Sequence, residues 1–447
     1  MAIGLQWLKR YFHLERNQTT VATELRAGFT TFTALAYILM VNPIILGQAI
    51  TSQNPDLFAQ LLTTTALAAA FGSILMGLVA NLPFALAPGM GLNAYFTYSV
   101  VIGLGLSWQS ALGAVFFSGL AFLLISIVGL RKHLVFAIPH SLRYGTAAGV
   151  GLFIAFLGLK SGGLIVSNDA TLVSLGTLSS DSALVFCFGL ILTLSLMKFR
   201  VKGSILIGIL ASSTLAISLG FNVFQGQPYT GDFSLVAIPV WPSDLIGAFT
   251  FTDVFEMGLL SIVFIFLFVD LFDTTGSLFA LSGQMEKFHP LSESDLAKSF
   301  GVDALATMLG AFLGTSSTTT YIESATGVEE GGRTGLTAVT VGLLFIAALF
   351  FWPLLKLVPE SATAPALVIV GALMAKQIGK LTWDDETEYI PAFLCFILMP
   401  LSFSIANGIA LGIISYVILK LTTGKFRHLN LVLIILSTLL LIRYIWY

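Results

Sequence analysis

Apolar stretches of a length suited to crossing a bilayer recur from Ala27 to Tyr447, broken by short polar turns and never by a long polar interval. At about 20 residues per crossing, with shorter pieces allowed where protein buries them, the pattern predicts segments near 26–49, 61–81, 90–103, 110–130, 145–160, 183–198 and 203–220. A polar interval follows, Phe221 to Ser243, containing a short β-like stretch from Ser234 to Val240. Seven more segments come after it, near 254–278, 300–314, 321–328, 334–355, 362–376, 388–402 and 404–421. A last apolar piece, 429–447, reads either as an extra span or as an interfacial helix, since Arg443, Tyr444, Trp446 and Tyr447 suit a membrane surface. The expected fold class is therefore an all-α polytopic membrane protein with a single membrane domain, 1–447, whose halves lie at 26–220 and 254–421.

Seven is odd, so a second copy of the same seven would enter the membrane upside down. Pro139-His-Ser141 precedes Gly151 by the spacing at which Pro359-Glu-Ser361 precedes Gly371, an offset of 220 residues and close to half the chain. Inverted-repeat transporters have this organisation. Basic residues cluster at Lys9/Arg10/Arg16, Arg131/Lys132/Arg143, Lys198/Arg200/Lys202, Lys287/Lys298, Lys376/Lys380 and Lys425/Arg427, all on the side of the N-terminus under this topology. Lys160 and Lys356 are the exceptions. The positive-inside rule then places the N-terminus and the loop after residue 421 in the cytoplasm, with the chain in the plasma or inner membrane. The N-terminal 17 residues read as a short cytoplasmic amphipathic lead rather than a signal peptide.

The third element of each half is a poor membrane helix. Ala87-Pro-Gly-Met-Gly-Leu-Asn93 opens with helix breakers, and Gly314-Thr-Ser-Ser-Thr-Thr-Thr320 opens with a polar, β-branched run before turning helical. Extended chain leading into a half-helix is tolerated at membrane depth only where protein buries it or a cavity adjoins it. Two such segments in corresponding places point to a transporter's binding site, with half-helix N-termini offering free N–H groups near the midplane. Gly89 and Gly91 serve either that site or close helix packing, and Asn93 either a ligand or an interhelical hydrogen bond.

Composition narrows the class. The chain is 56% hydrophobic and 10% charged, with a mean hydropathy of +0.94, which a soluble core with a solvated surface does not accommodate. A net charge of -2 leaves no broad basic surface for nucleic acid. Cys187 and Cys395 both sit in apolar segments, where packing is the expected role.

Against this background the acids are informative, because a carboxylate at membrane depth costs roughly 2.5–3.5 kcal/mol and marks an ion path or ligand site by default. Asp270 and Asp273 share one helix face, with Thr274 a turn after Asp270, and two carboxylates so close resist ionising together. A proton-coupled carrier needs such a pair, although Asp273 with Thr274, Thr275 and Gly276 also suits a helix end. Glu323 follows Tyr321 at the start of the second half-helix. Glu329 and Glu330, beside Gly331-Gly332-Arg333, read as a solvated turn, and Asp253 and Glu256 as facing water. A planar ligand rich in N–H donors and ring acceptors fits this inventory: carboxylates accept ring N–H bonds, backbone N–H groups bind ring acceptors, and 37 Phe and 11 Tyr supply stacking faces.

At five stretches the chain resembles the adenine/guanine/hypoxanthine permeases, the AzgA-like branch of the nucleobase:cation symporters. They are Gly28 to Pro43 (GFTTFTALAYILMVNP), Ala87 to Tyr95 (APGMGLNAY), Asp270 to Gly276 (DLFDTTG), Gly314 to Val328 (GTSSTTTYIESATGV) and Met399 to Gly408 (MPLSFSIANG). The resemblance implies a uracil-permease-type fold: 14 transmembrane segments as two inverted repeats of seven, with short strands in segments 3 and 10. It implies a core domain from segments 1–4 and 8–11 and a gate domain from segments 5–7 and 12–14 at a homodimer interface. The implied activity is proton symport of a purine nucleobase. The implied substrate contacts are Asp270, Glu323, Asn93, Gly91, Tyr321, Ser324, Tyr37 and Thr33, with Asn42 also lining the first segment and Asp270, Asp273 and Glu323 as proton-coupling groups. More distant nucleobase carriers place Glu where Asp270 stands and often His or Asp where this chain has Thr274; Ser277 replaces a more usual Thr. No cofactor or metal is called for.

Two other readings compete. An anion exchanger, or a uracil or xanthine carrier, would share the fold; the exchanger would favour a basic or neutral residue at the place of Glu323. A membrane-embedded enzyme would need ligating His near the acids, and His13, His133, His140, His289 and His428 all lie at segment ends or in loops.

Overall fold

The computed structural model describes residues 2–50, 54–128, 139–224, 234–251, 257–285 and 291–446. Its elements in chain order begin with α1 (Ala2–Tyr11), α2 (Val21–Leu35), α3 (Ile38–Leu46), α4 (Leu57–Leu75), β1 (Leu86–Pro88), α5 (Met90–Ala94) and α6 (Trp108–Val128). There follow α7 (His140–Ser161), the hairpin β2 (Ile165–Asn168) and β3 (Leu172–Leu175), α8 (Asp181–Lys198), α9 (Ser204–Ser218), α10 (Met257–Met285) and α11 (Glu293–Leu313). The remainder are β4 (Thr318–Thr320), α12 (Ser324–Glu329), α13 (Gly335–Ala348), α14 (Trp352–Leu355), α15 (Glu360–Ala375), α16 (Glu386–Leu401), α17 (Ile405–Thr422) and α18 (Leu431–Trp446). Among the described residues, ten helices are long and apolar enough to cross a membrane, with Ser204–Ser218 and Leu431–Ile442 as shorter apolar ones.

Local chemistry sets these boundaries. Ser292 and Asp295 close a reciprocal capping box on α11, while Thr334, Asp385 and Ser404 each accept a backbone N–H at the start of α13, α16 and α17. The first membrane helix breaks at Ala36-Tyr37 into α2 and α3, and α5 continues as a π-helical stretch, Tyr95–Gly103.

Small residues let helices approach where no side chain would fit. A Cβ on Gly151 of α7 would stand 2.6 Å from the carbonyl oxygen of Gly371 on α15, and Gly371 faces Gly151 reciprocally. Pro139 and Pro359 occupy the N-cap positions of these same two helices. Gly77 and Gly335 make a second reciprocal backbone contact.

The helices pack as two bodies. One gathers α2 to α6 and α10 to α13 around the β1/β4 ladder; the other gathers α7 to α9 and α15 to α17 around the α7/α15 crossing. Helix α18 runs back antiparallel along α17, burying Leu433, Leu436 and Leu440, and its Tyr444 hydroxyl donates to Asn407 Oδ1 at 2.6 Å near the far end of α17.

Several expectations are corrected. Helix α10 runs through Asp273 to Met285, so Asp273 does not end a helix. Ser234 to Val240 forms no strand: Ala237 N donates to Phe350 O, and Trp352 Nε1 to Ile238 O, which lays this loop over the α13–α14 turn. Glu330 is not a solvated turn residue, since Arg26 and Lys202 both pair with it. Asp253 and Glu256 lie outside the described residues.

Candidate functional site

The two interrupted segments meet as a three-residue antiparallel ladder, with Leu86 opposite Thr320, Ala87 opposite Thr319 and Pro88 opposite Thr318, all buried. Such a ladder at membrane depth needs every backbone polar group paired. Gly89 N donates to Ser317 O at 2.8 Å and Tyr321 N to Ala85 O at 3.0 Å, which prolongs the pairing at both ends. The Ser73 hydroxyl donates to Leu86 O, and Leu86 N donates back to it. The strands run oppositely, so α5 and α12 start from opposite ends of the ladder and point in opposite directions.

The acids surround this ladder. Asp270 is fully buried; Thr307 Oγ1 lies 3.0 Å from its Oδ2 and 3.0 Å from Thr318 O, while Asp270 Oδ1 has no hydrogen-bond partner among the described residues. Asp273, partly exposed, has its Oδ2 3.8 Å from the place a Cβ on Gly89 would occupy, so this carboxylate faces the junction of β1 and α5. Glu323 accepts from the Tyr37 hydroxyl at 2.9 Å.

Other expected contacts divide by geometry. Asn93 is buried and its Oδ1 accepts from the Ser316 hydroxyl, leaving Nδ2 unpartnered. Asn42 Nδ2 donates to Thr65 and Thr315 hydroxyls at 2.7 and 2.9 Å, leaving its Oδ1 unpartnered. Ser317 and Thr318 hydroxyls on the ladder are unpartnered as well, and all four of these residues lack those partners among the described residues. In contrast, Tyr321 donates its hydroxyl to Pro88 O at 2.6 Å, and Ser324 Oγ accepts from Ala85 N at 2.9 Å, so both groups are engaged in holding the ladder. Gly91 packs on α7, where a Cβ would meet Val150 Cγ1 at 2.5 Å. Thr33 is not brought to the acids: it donates to Thr30 O and lies against Gly203 in the α8–α9 turn.

Sequence reasoning missed Asp303 and Glu24. Asp303 of α11 is fully buried and takes three donors: Thr274 Oγ1 at 2.6 Å, and Thr320 N and Thr320 Oγ1 at 2.9 Å each. Thr274 also lies 2.9 Å from Thr319 Oγ1, so one polar network ties α10, α11 and β4 together. Glu24, also fully buried, accepts from Arg333 N, Thr334 N and the Thr337 hydroxyl, fixing α2 to the start of α13. The available signal was the rule that a buried acid needs partners. Both lie near segment ends, where an acid reads as interfacial.

A helical membrane body with two extended breaks paired at its centre, carboxylates around them and donors and acceptors left open defines a membrane transporter, not an enzyme. The sequence matches the permease family model Xan_ur_permease over residues 22–411, and the chain belongs to that permease family. It is 42% identical to the adenine permease AdeP of Escherichia coli (strain K12), covering 99% of this chain and 97% of that one. It is 40% identical to the guanine/hypoxanthine permease PbuO of Bacillus subtilis (strain 168), covering 97% and 99%. Among solved structures, the transmembrane domain of a cyanobacterium bicarbonate transporter, BicA, matches with a TM-score of 0.65 over 86% of this chain and 97% of that chain at 13% identity, a likeness of fold.

Proposed function

We propose that this permease is a proton-coupled symporter that imports purine nucleobases, adenine, guanine or hypoxanthine, across the plasma or inner membrane with its N-terminus in the cytoplasm. The observation that carries the reading is the set of buried groups beside the ladder that lack a partner among the described residues: acceptors at Asp270 Oδ1 and Asn42 Oδ1, a donor at Asn93 Nδ2 and the Ser317 hydroxyl. A purine presents both donors and acceptors around a flat ring and satisfies such a mixed set, whereas a small inorganic anion would leave the carboxylates opposed. The relatives named for adenine and for guanine/hypoxanthine support the same class.

Proton coupling draws on Thr307. Its single hydroxyl proton faces two acceptors, Asp270 Oδ2 and Thr318 O. A protonated Asp270 resolves the count, donating to Thr307 while Thr307 donates to the strand; ionisation of Asp270 would pull Thr307 off β4. Asp270 thus links proton binding to the ladder, with Glu323 and Asp273 as the further acids facing the substrate. Tyr37 holds Glu323, and Asn93 contacts the base.

The working architecture is 14 segments in two inverted repeats of seven, 26–220 and 254–421, followed by an additional helix. The Gly151/Gly371 crossing between Pro-capped helices suits a pseudo-two-fold axis. Segments 1–4 and 8–11 form a core that shifts against a gate of segments 5–7 and 12–14, and a homodimer forms through the gate.

Uptake of labelled adenine, guanine, hypoxanthine and uracil into cells lacking their own nucleobase carriers, with and without a protonophore, tests this reading. Concentrative purine uptake that collapses with the proton gradient is expected. Uracil uptake alone, or no uptake of any base, would overturn it.

A further inference from the structure

Among the places where the two helical bodies meet is a small patch at which the turn between α8 and α9 reaches the end of α12. Gly203 in that turn has φ +70°, a left-handed backbone that glycine adopts without strain, and a Cβ there would stand only 3.2 Å from Thr33 Cβ of α2, so the turn lies close against α2. Beside it, Lys202 Nζ pairs with Glu330 Oε2. Glu330 is held from its own side by Arg26, whose Nε lies 2.9 Å from Oε1 and whose NH2 donates to Glu330 O at 3.5 Å. The Glu330 side chain is only 17% exposed, against 57% for Lys202 and 64% for Arg26.

We propose that Lys202 and Glu330 form a charge latch that clasps the two bodies at their cytoplasmic end, with Arg26 as the positioning residue that presents the carboxylate. The proposal rests on the core-against-gate reading above, since Glu330 belongs to the core and Lys202 to the gate. Three observations converge on it. The pair joins the two bodies rather than bracing either one. Its carboxylate is preorganised within the core, so closure orders only the lysine. The cationic turn Lys198/Arg200/Lys202 gives the gate an excess of positive charge facing that acid.

The strength of such a contact suits a device that must break in every cycle. Partly exposed ion pairs change an equilibrium by about two- to five-fold, enough to set how long the cytoplasmic seam stays shut without locking it.

The test uses the full chain with Cys187 and Cys395 replaced by alanine and a reporter Thr33→Cys at the seam, labelled by a small thiol reagent in inside-out vesicles. Hypoxanthine is added to confirm that the reporter follows transport. The labelling rate of the latch-intact protein is expected to respond to hypoxanthine and to rise with ionic strength. Lys202→Gln raises the rate about two- to five-fold and removes its salt dependence. Lys202→Arg leaves it near the starting value, and adding Lys202→Gln to Glu330→Gln changes nothing further, because the pair is already broken. A rate that responds to hypoxanthine but is unchanged by Lys202→Gln overturns the latch alone, as do independent effects of the two substitutions. A rate that ignores hypoxanthine overturns the latch together with the core-against-gate reading.

Discussion

Asp303 anchors strand β4, and replacing it separates geometry from charge. Its carboxylate collects the Thr274 hydroxyl at 2.6 Å and both the amide and hydroxyl of Thr320 at 2.9 Å, with no exposure to solvent. In Asp303→Asn one oxygen remains for the two Thr320 donors. The Thr274 hydroxyl, 2.9 Å from Thr319 Oγ1, can turn to donate there and accept from the new amide. Three charge-assisted bonds become neutral ones, a loss of roughly 1 kcal/mol each and about 3 kcal/mol at most. Asp303→Ala instead orphans the Thr320 backbone N–H and hydroxyl at about 1–3 kcal/mol each, about 4 kcal/mol in all, and releases β4 from α11, while Thr274 keeps Thr319.

The expected order of thermal stability is therefore wild type, then Asn, then Ala. It is read as the fraction of detergent-solubilised protein that stays monodisperse after heating, with purine uptake measured in parallel. Alanine as stable as wild type, or asparagine less stable than alanine, would refute the anchoring role. A well-folded Asp303→Asn that no longer transports would show that its charge enters the transport cycle directly.

Further outcomes are expected. Asp270→Asn and Glu323→Gln should reduce concentrative purine uptake to background at normal membrane abundance, because neutral amides neither bind nor release a proton; wild-type uptake in both would sink the assignment. Gly371→Val should destabilise by about 3 kcal/mol or more in the same heating assay, since even a Cβ meets Ala155 at 2.8 Å; an unchanged profile would show that the α7/α15 crossing tolerates bulk. Where α16 begins and α17 ends, the Lys425 ammonium beside Asp385 holds that carboxyl far below the usual carboxylate range, helped by Thr387. With a depressed folded value, its stabilisation is present above the unfolded value of about 3.9 and fades only as pH falls below it. Asp385→Asn should therefore be less stable than wild type at pH 7 and at pH 5 alike, and a gap that closes between those values would contradict the sign. Because α18 retraces α17, Ile442→Cys should react with a membrane-impermeant maleimide from outside intact cells and Thr423→Cys only after permeabilisation. Labelling of both only after permeabilisation would return α18 to the cytoplasmic surface, and the reverse pattern would invert the topology.

Much of the site was legible because membrane physics makes acids and extended chain conspicuous. The run Thr318-Thr-Thr320 is β-branched and Pro88 cannot donate to a helix, so both breaks could be read as extended, and they pair in register. Asp270 and Glu323 stood out in apolar surroundings. The sequence could not tell which hydroxyls hold backbone: Tyr321 and Ser324 look like ligand groups in one dimension, yet Tyr321 donates to Pro88 O and Ser324 Oγ accepts from Ala85 N, partners more than 200 positions away. Lys420 was invisible for the same reason. It sits near the end of an apolar helix yet is 1% exposed, paired with Glu388 at 2.6 Å and hydrogen-bonded to Thr387.

The buried acids thereby separate into two kinds. Glu24 and Asp303 are each saturated by three protein donors, and a carboxylate so satisfied has little reason to exchange a proton or a ligand during a cycle. Among the described residues Asp270 keeps one oxygen unpartnered and shares a single hydroxyl with the strand, and Glu323 is held on Oε1 by Tyr37. Both kinds touch the same ladder: Asp303 grips Thr320, while Asp270 reaches Thr318 only through Thr307. Under the proposed proton coupling, a change of protonation at Asp270 would act on a strand whose other end Asp303 holds, at the Thr318 end, opposite Pro88, where the first half-helix begins.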